Sequence, residues 1–108
     1  MYVQTVEFDT QGLTHAEYER FCQEAVPAIA EVPGVLGKLF LADPDSSRCA
    51  GIYTFTDRDA AEAYLRGELF QAAIADNPAI ANLRIRGSEL LEQPTRALDE
   101  ALAAAGVR

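Results

Sequence analysis

Lys38 is the single lysine in a chain of 108 residues; every other basic side chain is arginine. It lies within the apolar run from Val35 to Ala42, between Leu36 and Phe40. An ammonium held partly out of water there has a lowered pKa, and can exchange a proton or hold an anionic oxygen. The alternative is a lysine that reaches solvent or pairs with a carboxylate. Tyr53 sits in the middle of a second apolar run, where its phenol either donates to a substrate oxygen or is satisfied within the core. Gly37 and Gly51 fall in the same two runs, and glycine in a strand marks a bulge or the close approach of a ligand or another backbone. Arg84 and Arg86 alternate with Leu83 and Ile85, as a clamp for a carboxylate or phenolate or as solvated ion pairs. Phe40 follows Lys38 in the same run, and Tyr18, Phe21, Tyr64 and Phe70 supply core or pocket wall. Lys38 and Tyr53 are the candidates for a catalytic role, and Gly37, Gly51, Phe40, Tyr64 and Arg84 the candidates for substrate binding. Asn82 is a weaker polar candidate. His15, in the first turn of a helix, is expected to be an inert surface group.

Other chemistries lack their residues. There is no Ser/His/Asp order, no paired-carboxylate motif and no glycine-rich phosphate loop. One histidine and two cysteines without CxxC spacing do not make a structural zinc site, so no metal or other cofactor is expected. Cys22 and Cys49 read as small core hydrophobes in a reducing, cytoplasmic compartment. A net charge of -8 repels phosphate backbones, which argues against a nucleic-acid partner. No apolar run approaches the roughly 18 residues of a membrane span. The alternating start from Met1 to Phe8 has no basic stretch and is not expected to be a signal peptide.

These residues need elements to hold them. Tyr2, Gln4, Val6 and Phe8 alternate with Val3, Thr5 and Glu7, a strand pattern. Thr14 and Glu17 form a capping box for a helix carrying Tyr18, Phe21, Cys22, Ala25, Ile29 and Val32 on one stripe, with a kink expected at Pro27 and a stop at Pro33-Gly34. Strands over Val35 to Ala42 and Arg48 to Thr56 are joined by the turn Asp43-Pro44-Asp45-Ser46. Asp57 caps a second helix through Ala61, Tyr64 and Leu65, interrupted near Gly67, with a further helical piece through Phe70 and Ile74 up to Asn77-Pro78. Asn82 to Leu90 is a fourth strand. Pro94, at a first helical position, opens a last helix closed by Gly106.

The order is βαββαβ followed by a helix. That is a ferredoxin-like α+β domain, spanning residues 1–108 as one unit, with a four-stranded antiparallel sheet and helices on one face. The second strand looks apolar on both faces, with Val35, Leu39 and Leu41 on one and Leu36 and Phe40 on the other. A single-layer sheet greasy on both sides calls for a second layer, and a homodimer packed sheet to sheet supplies it.

Several of these residues also carry a family resemblance: Pro33-Gly34, Lys38, Ala50-Gly51-Ile52-Tyr53, Phe55-Thr56-Asp57, Ala63-Tyr64-Leu65 and Glu92-Gln93-Pro94. From Glu31 to about Leu98 the chain resembles the YdhR-like monooxygenases of the dimeric α/β-barrel superfamily. The resemblance implies a protomer whose sheet meets its partner's to form a barrel. It also implies oxygenase activity on small aromatic or polyketide-like molecules without flavin or metal. The chain departs from the family pattern around the second-strand lysine. Family members tend to have tryptophans there, whereas this sequence has Gly37 and Phe40 and no tryptophan.

Three functions therefore stand as expectations. The first is a cofactor-independent monooxygenase acting on a small aromatic or polyketide-like substrate in an apolar pocket. The second is a non-redox isomerase or cyclase on the same scaffold. The third is a non-catalytic protein that binds a small apolar ligand.

Overall fold

A computed structural model describes residues 1–106. The chain runs β1 (Tyr2–Thr10), α1 (His15–Ala30), β2 (Val35–Ala42), β3 (Arg48–Phe55), α2 (Arg58–Arg66), α3 (Glu68–Phe70), a π-helical turn (Gln71–Ala75), β4 (Ile80–Glu89) and α4 (Glu92–Ala105). All strands pair antiparallel in the order β2-β3-β1-β4, the ferredoxin-like arrangement.

Local chemistry sets the element ends. Thr14 accepts from the Glu17 backbone N–H while the Glu17 carboxylate accepts from the Thr14 N–H, so the expected capping box starts α1. Asp57 accepts from the Ala60 N–H and starts α2. α1 continues past Pro27 to Ala30. Pro94 is the third residue of α4, not the first. The first four N–H groups of a helix have no partner within it, so the missing donor costs nothing there. Gly106 closes α4 in the left-handed conformation.

The core lies between the sheet and the helices. Val6 and Phe8 of β1 and Cys49, Tyr53 and Phe55 of β3 meet Tyr18, Ala61, Tyr64, Phe70 and Ile74 from the helical side. Register fixes which side chains join them. Lys38 lies opposite Tyr53, Phe40 opposite Gly51 and Ala42 opposite Cys49, so these residues face the helices. Gly37, Leu39 and Leu41, opposite Thr54, Ile52 and Ala50, face away.

One expectation about β2 is corrected. The register shifts between Val35 and Gly37. This irregularity puts Val35 opposite the core residue Phe55, packed against the core instead of sharing a face with Leu39 and Leu41. Leu36 takes up the shift and is 55% exposed. The outer face is nevertheless apolar, with Leu39 62% and Leu41 46% exposed.

α4 stands apart. None of its residues is buried, and Leu91 and Leu98 at its start and middle are exposed. Its first turn is tied down by Glu92, which accepts from the Met1 amine at 2.7 Å. The radius of gyration, 15.3 Å, exceeds the roughly 13 Å of a compact domain of this length, consistent with a projecting arm.

Candidate functional site

Lys38 points from β2 into the space between the sheet and α1. Its Nζ lies 4.2 Å from the Phe40 ring centroid and 4.4 Å from that of Tyr53. Both are cation–π distances. No carboxylate lies within 4.0 Å of the ammonium among the described residues. Burial therefore acts almost unopposed and lowers the Lys38 pKa to about 8, with Cys22 pulling weakly the other way.

Gly51 makes this position available. A Cβ there would come within 2.8 Å of Lys38 Cε and 3.2 Å of Tyr53 Cε1. The absent side chain is the space that the lysine tail occupies.

Behind Lys38, the Tyr53 and Tyr64 hydroxyls share a 2.7 Å hydrogen bond. One phenol donates to the other, so the accepting hydroxyl keeps a proton for a third partner. Burial raises the pKa of both, and both stay protonated at neutral pH. Gln4, opposite Tyr53 on β1, is buried as well. Its Nε2 donates to the Ala61 carbonyl at 3.5 Å, while its Oε1 has no partner among the described residues.

A cavity of about 20 Å³ lies beside this cluster, lined by Lys38, Phe40, Gly51 and Tyr53 of the sheet and Tyr18 and Cys22 of α1. That is room for about one water molecule. It lies next to an open groove of about 330 Å³ between α1 and β2, and Tyr18, Cys22 and Phe40 line both. The groove is at the lower end of the size range for small-ligand sites. His15, Glu19, Leu41 and Ala42 line the rest of it.

The structure thus gathers Lys38, Phe40, Gly51, Tyr53 and Tyr64 on one side of the sheet. Gly37 and Arg84 lie on the other. A Cβ at Gly37 would meet nothing within 4 Å, so the space beside it opens onto the outer face. Arg84 and Arg86 both reach Glu7, at 3.9 and 2.6 Å, as exposed ion pairs. Asn82, with φ 56°, donates to Asp9 at 2.7 Å beside the β1–β4 register shift and takes no part in the groove. For three groove residues the sequence pattern implies lesser roles. Tyr18 reads as core or wall, Cys22 as core and His15 as inert surface. The helical stripe already put Tyr18 and Cys22 on one face. Only the spacing of α1 from β2 shows that this face borders an opening.

Solved structures share the fold. A protein of unknown function from Nitrosomonas europaea is 21% identical, with 83% of this chain and 88% of that one covered and a TM-score of 0.70. SnoaB, a cofactor-independent oxygenase from Streptomyces nogalater, is 19% identical in its N63A mutant, with 85% and 94% covered and a TM-score of 0.67. The heme-degrader MhuD from Mycobacterium tuberculosis is 19% identical, with 84% and 96% covered and a TM-score of 0.66. No curated protein matches the sequence at a significant level. Residues 3–101 match the family described as "Putative mono-oxygenase ydhR", and with nearly the whole chain matched, this protein belongs to that family.

Proposed function

We propose that the protein, working as one domain in a homodimer, is a cofactor-independent monooxygenase for a small aromatic or polyketide-like substrate bound in the α1–β2 groove. The observation that carries this reading is a half-buried lysine without a carboxylate partner among the described residues, set against two aromatic rings beside a small cavity that shares Tyr18, Cys22 and Phe40 with that groove. A neutral Lys38 amine takes a proton from the phenol or activated CH₂ of the substrate. The resulting ammonium then holds the substrate anion beside the Phe40 and Tyr53 rings. The electron-rich anion reduces dioxygen, which adds to the substrate carbon as a peroxide, and Lys38 returns its proton to the distal oxygen. Loss of water leaves a carbonyl, with one oxygen atom in the product and the other in water. The hydroxyl pair of Tyr53 and Tyr64 supplies the remaining donor for the developing oxyanion. The two unpaired cysteines fit a reducing, cytoplasmic location.

The test is oxygen uptake with a panel of anthrones and naphthols. Uptake matched by carbonyl product, at equal rates with and without added flavin or metal, is the expected result. Turnover of the same panel at equal rates without oxygen would support an isomerase or cyclase instead. Binding without turnover would support a ligand carrier.

Two features support the homodimer. The outer sheet face exposes Leu39 and Leu41, and Leu91 and Leu98 at the start and middle of α4 are exposed as well. A second copy packed on the sheet covers this surface with its own. An aspartate at the centre of that contact would be buried without a partner. Leu39→Asp is therefore expected to convert a two-chain particle into a one-chain particle at micromolar concentration, measured by light scattering. A one-chain mass for the unmodified protein would remove the dimer.

A further inference from the structure

We infer that Lys38 is also a carbonyl-capturing nucleophile, and that the groove takes a small aromatic aldehyde or ketone which the amine holds as an imine. This rests on reading the α1–β2 groove as the ligand site, but not on any reaction with dioxygen.

The geometry supports it in three ways. Among the described residues, every ion pair uses an arginine or the N-terminal amine, and the one lysine has no carboxylate partner. Its Nζ lies between the Phe40 and Tyr53 rings, surfaces that also suit a flat aromatic carbonyl compound. Gly51 leaves the space that the lysine tail occupies, and the tail borders a cavity that adjoins the groove at Tyr18, Cys22 and Phe40.

Protonation supports the same chemistry. With a pKa of about 8, roughly a tenth of the amine is free at pH 7. An ordinary lysine has on the order of one part in three thousand free. Desolvation of this kind is how lysine becomes a nucleophile toward carbonyls.

The step balances without a redox partner. The amine lone pair forms the C–N bond, the carbonyl π pair moves to oxygen, and a proton passes from nitrogen to that oxygen. The carbinolamine then releases water into the open groove and leaves the imine. Neither an electron donor nor an acceptor is consumed.

The test uses 2-naphthaldehyde and cyanoborohydride at pH 7, with peptide mapping by mass spectrometry. Cyanoborohydride reduces an imine to a stable secondary amine, and the chain has only two candidate amines, Lys38 and Met1. Lys38 is expected to label about tenfold faster than Met1, with a rate that levels off as naphthaldehyde rises, because binding precedes capture. Labelling of Met1 should stay linear in concentration. Lys38→Arg keeps the charge and should leave label at Met1 alone, with the circular dichroism spectrum unchanged. Label confined to Met1 in the wild-type protein, or a Lys38 rate that never saturates, would overturn the inference. Oxygen uptake by a protein that shows no Lys38 label would remove this inference alone. Saturable Lys38 labelling in a protein that never consumes oxygen would sustain it and remove the oxygenase reading.

Discussion

Phe55→Ala is expected to remove a large share of the protein's folding free energy. Phe55 has no exposed surface, and its ring lies 5.7 Å from that of Tyr53 and 5.8 Å from that of Tyr64. Truncating a buried phenylalanine costs about 3–5 kcal/mol, from lost transfer energy and from the void left behind. Domains of this kind are stable by only about 5–15 kcal/mol. At about 4–8 °C per kcal/mol, the melting temperature should fall by roughly 12–40 °C, read by far-UV circular dichroism. The same void lies beside the Tyr53–Tyr64 hydroxyl pair, so whatever population stays folded should also lose that hydrogen bond's fixed geometry. Phe55→Leu refills part of the space and should cost less than half as much. If Phe55→Ala melted within a few degrees of wild type, the aromatic cluster would not be the centre of the core.

Much of this arrangement could be read from the sequence because periodicity and burial agree. Tyr2, Gln4, Val6 and Phe8 alternate in sequence, and the last three are buried in the structure. The capping residues Thr14 and Asp57 mark helix starts by local hydrogen bonding that depends on nothing distant. Lys38 and Tyr53 stood out because each interrupts an apolar strand with one polar tip. The face on which they meet could not be read, since alternation assigns parity but not direction. The register shift near Leu36 shows why even parity fails locally. One extra residue moves Val35 to the core face, and nothing in Val35-Leu36-Gly37 announces it. Arg84 looked like a clamp by composition alone. Its strand aligns it with Glu7 on the outer face, a pairing set by long-range register. The groove is hardest of all to foresee, because it is the gap left between α1 and the edge strand β2 and belongs to no segment's own pattern.

Lys38→Met is expected to stabilise the protein at neutral pH and to flatten its pH response. The folded-state pKa of Lys38 is lowered to about 8, against the ordinary value of 10.5 that holds in the unfolded chain. Between these values the unfolded state binds more protons than the folded one, so raising the pH favours folding. The charged lysine's penalty is therefore present in full below pH 8. It is relieved as pH rises from about 8 to about 10.5 and changes no further above that. The shift corresponds to about 3 kcal/mol at most, each pKa unit being worth about 1.4 kcal/mol. Methionine fills nearly the same volume without a charge, so the variant gains that stability at pH 7. Other groups run the opposite way in the same window. Burial raises the Cys49 thiol to about 11, which favours the folded state less as pH climbs. The informative quantity is thus the difference between the two proteins' urea unfolding free energies, measured at intervals from pH 6 to 10.5. That difference should be largest near pH 7 and shrink toward zero by pH 10.5. A difference independent of pH would mean that Lys38 keeps its hydration in solution. The free amine on which both the proton transfer and the carbonyl capture depend would then be lacking at neutral pH.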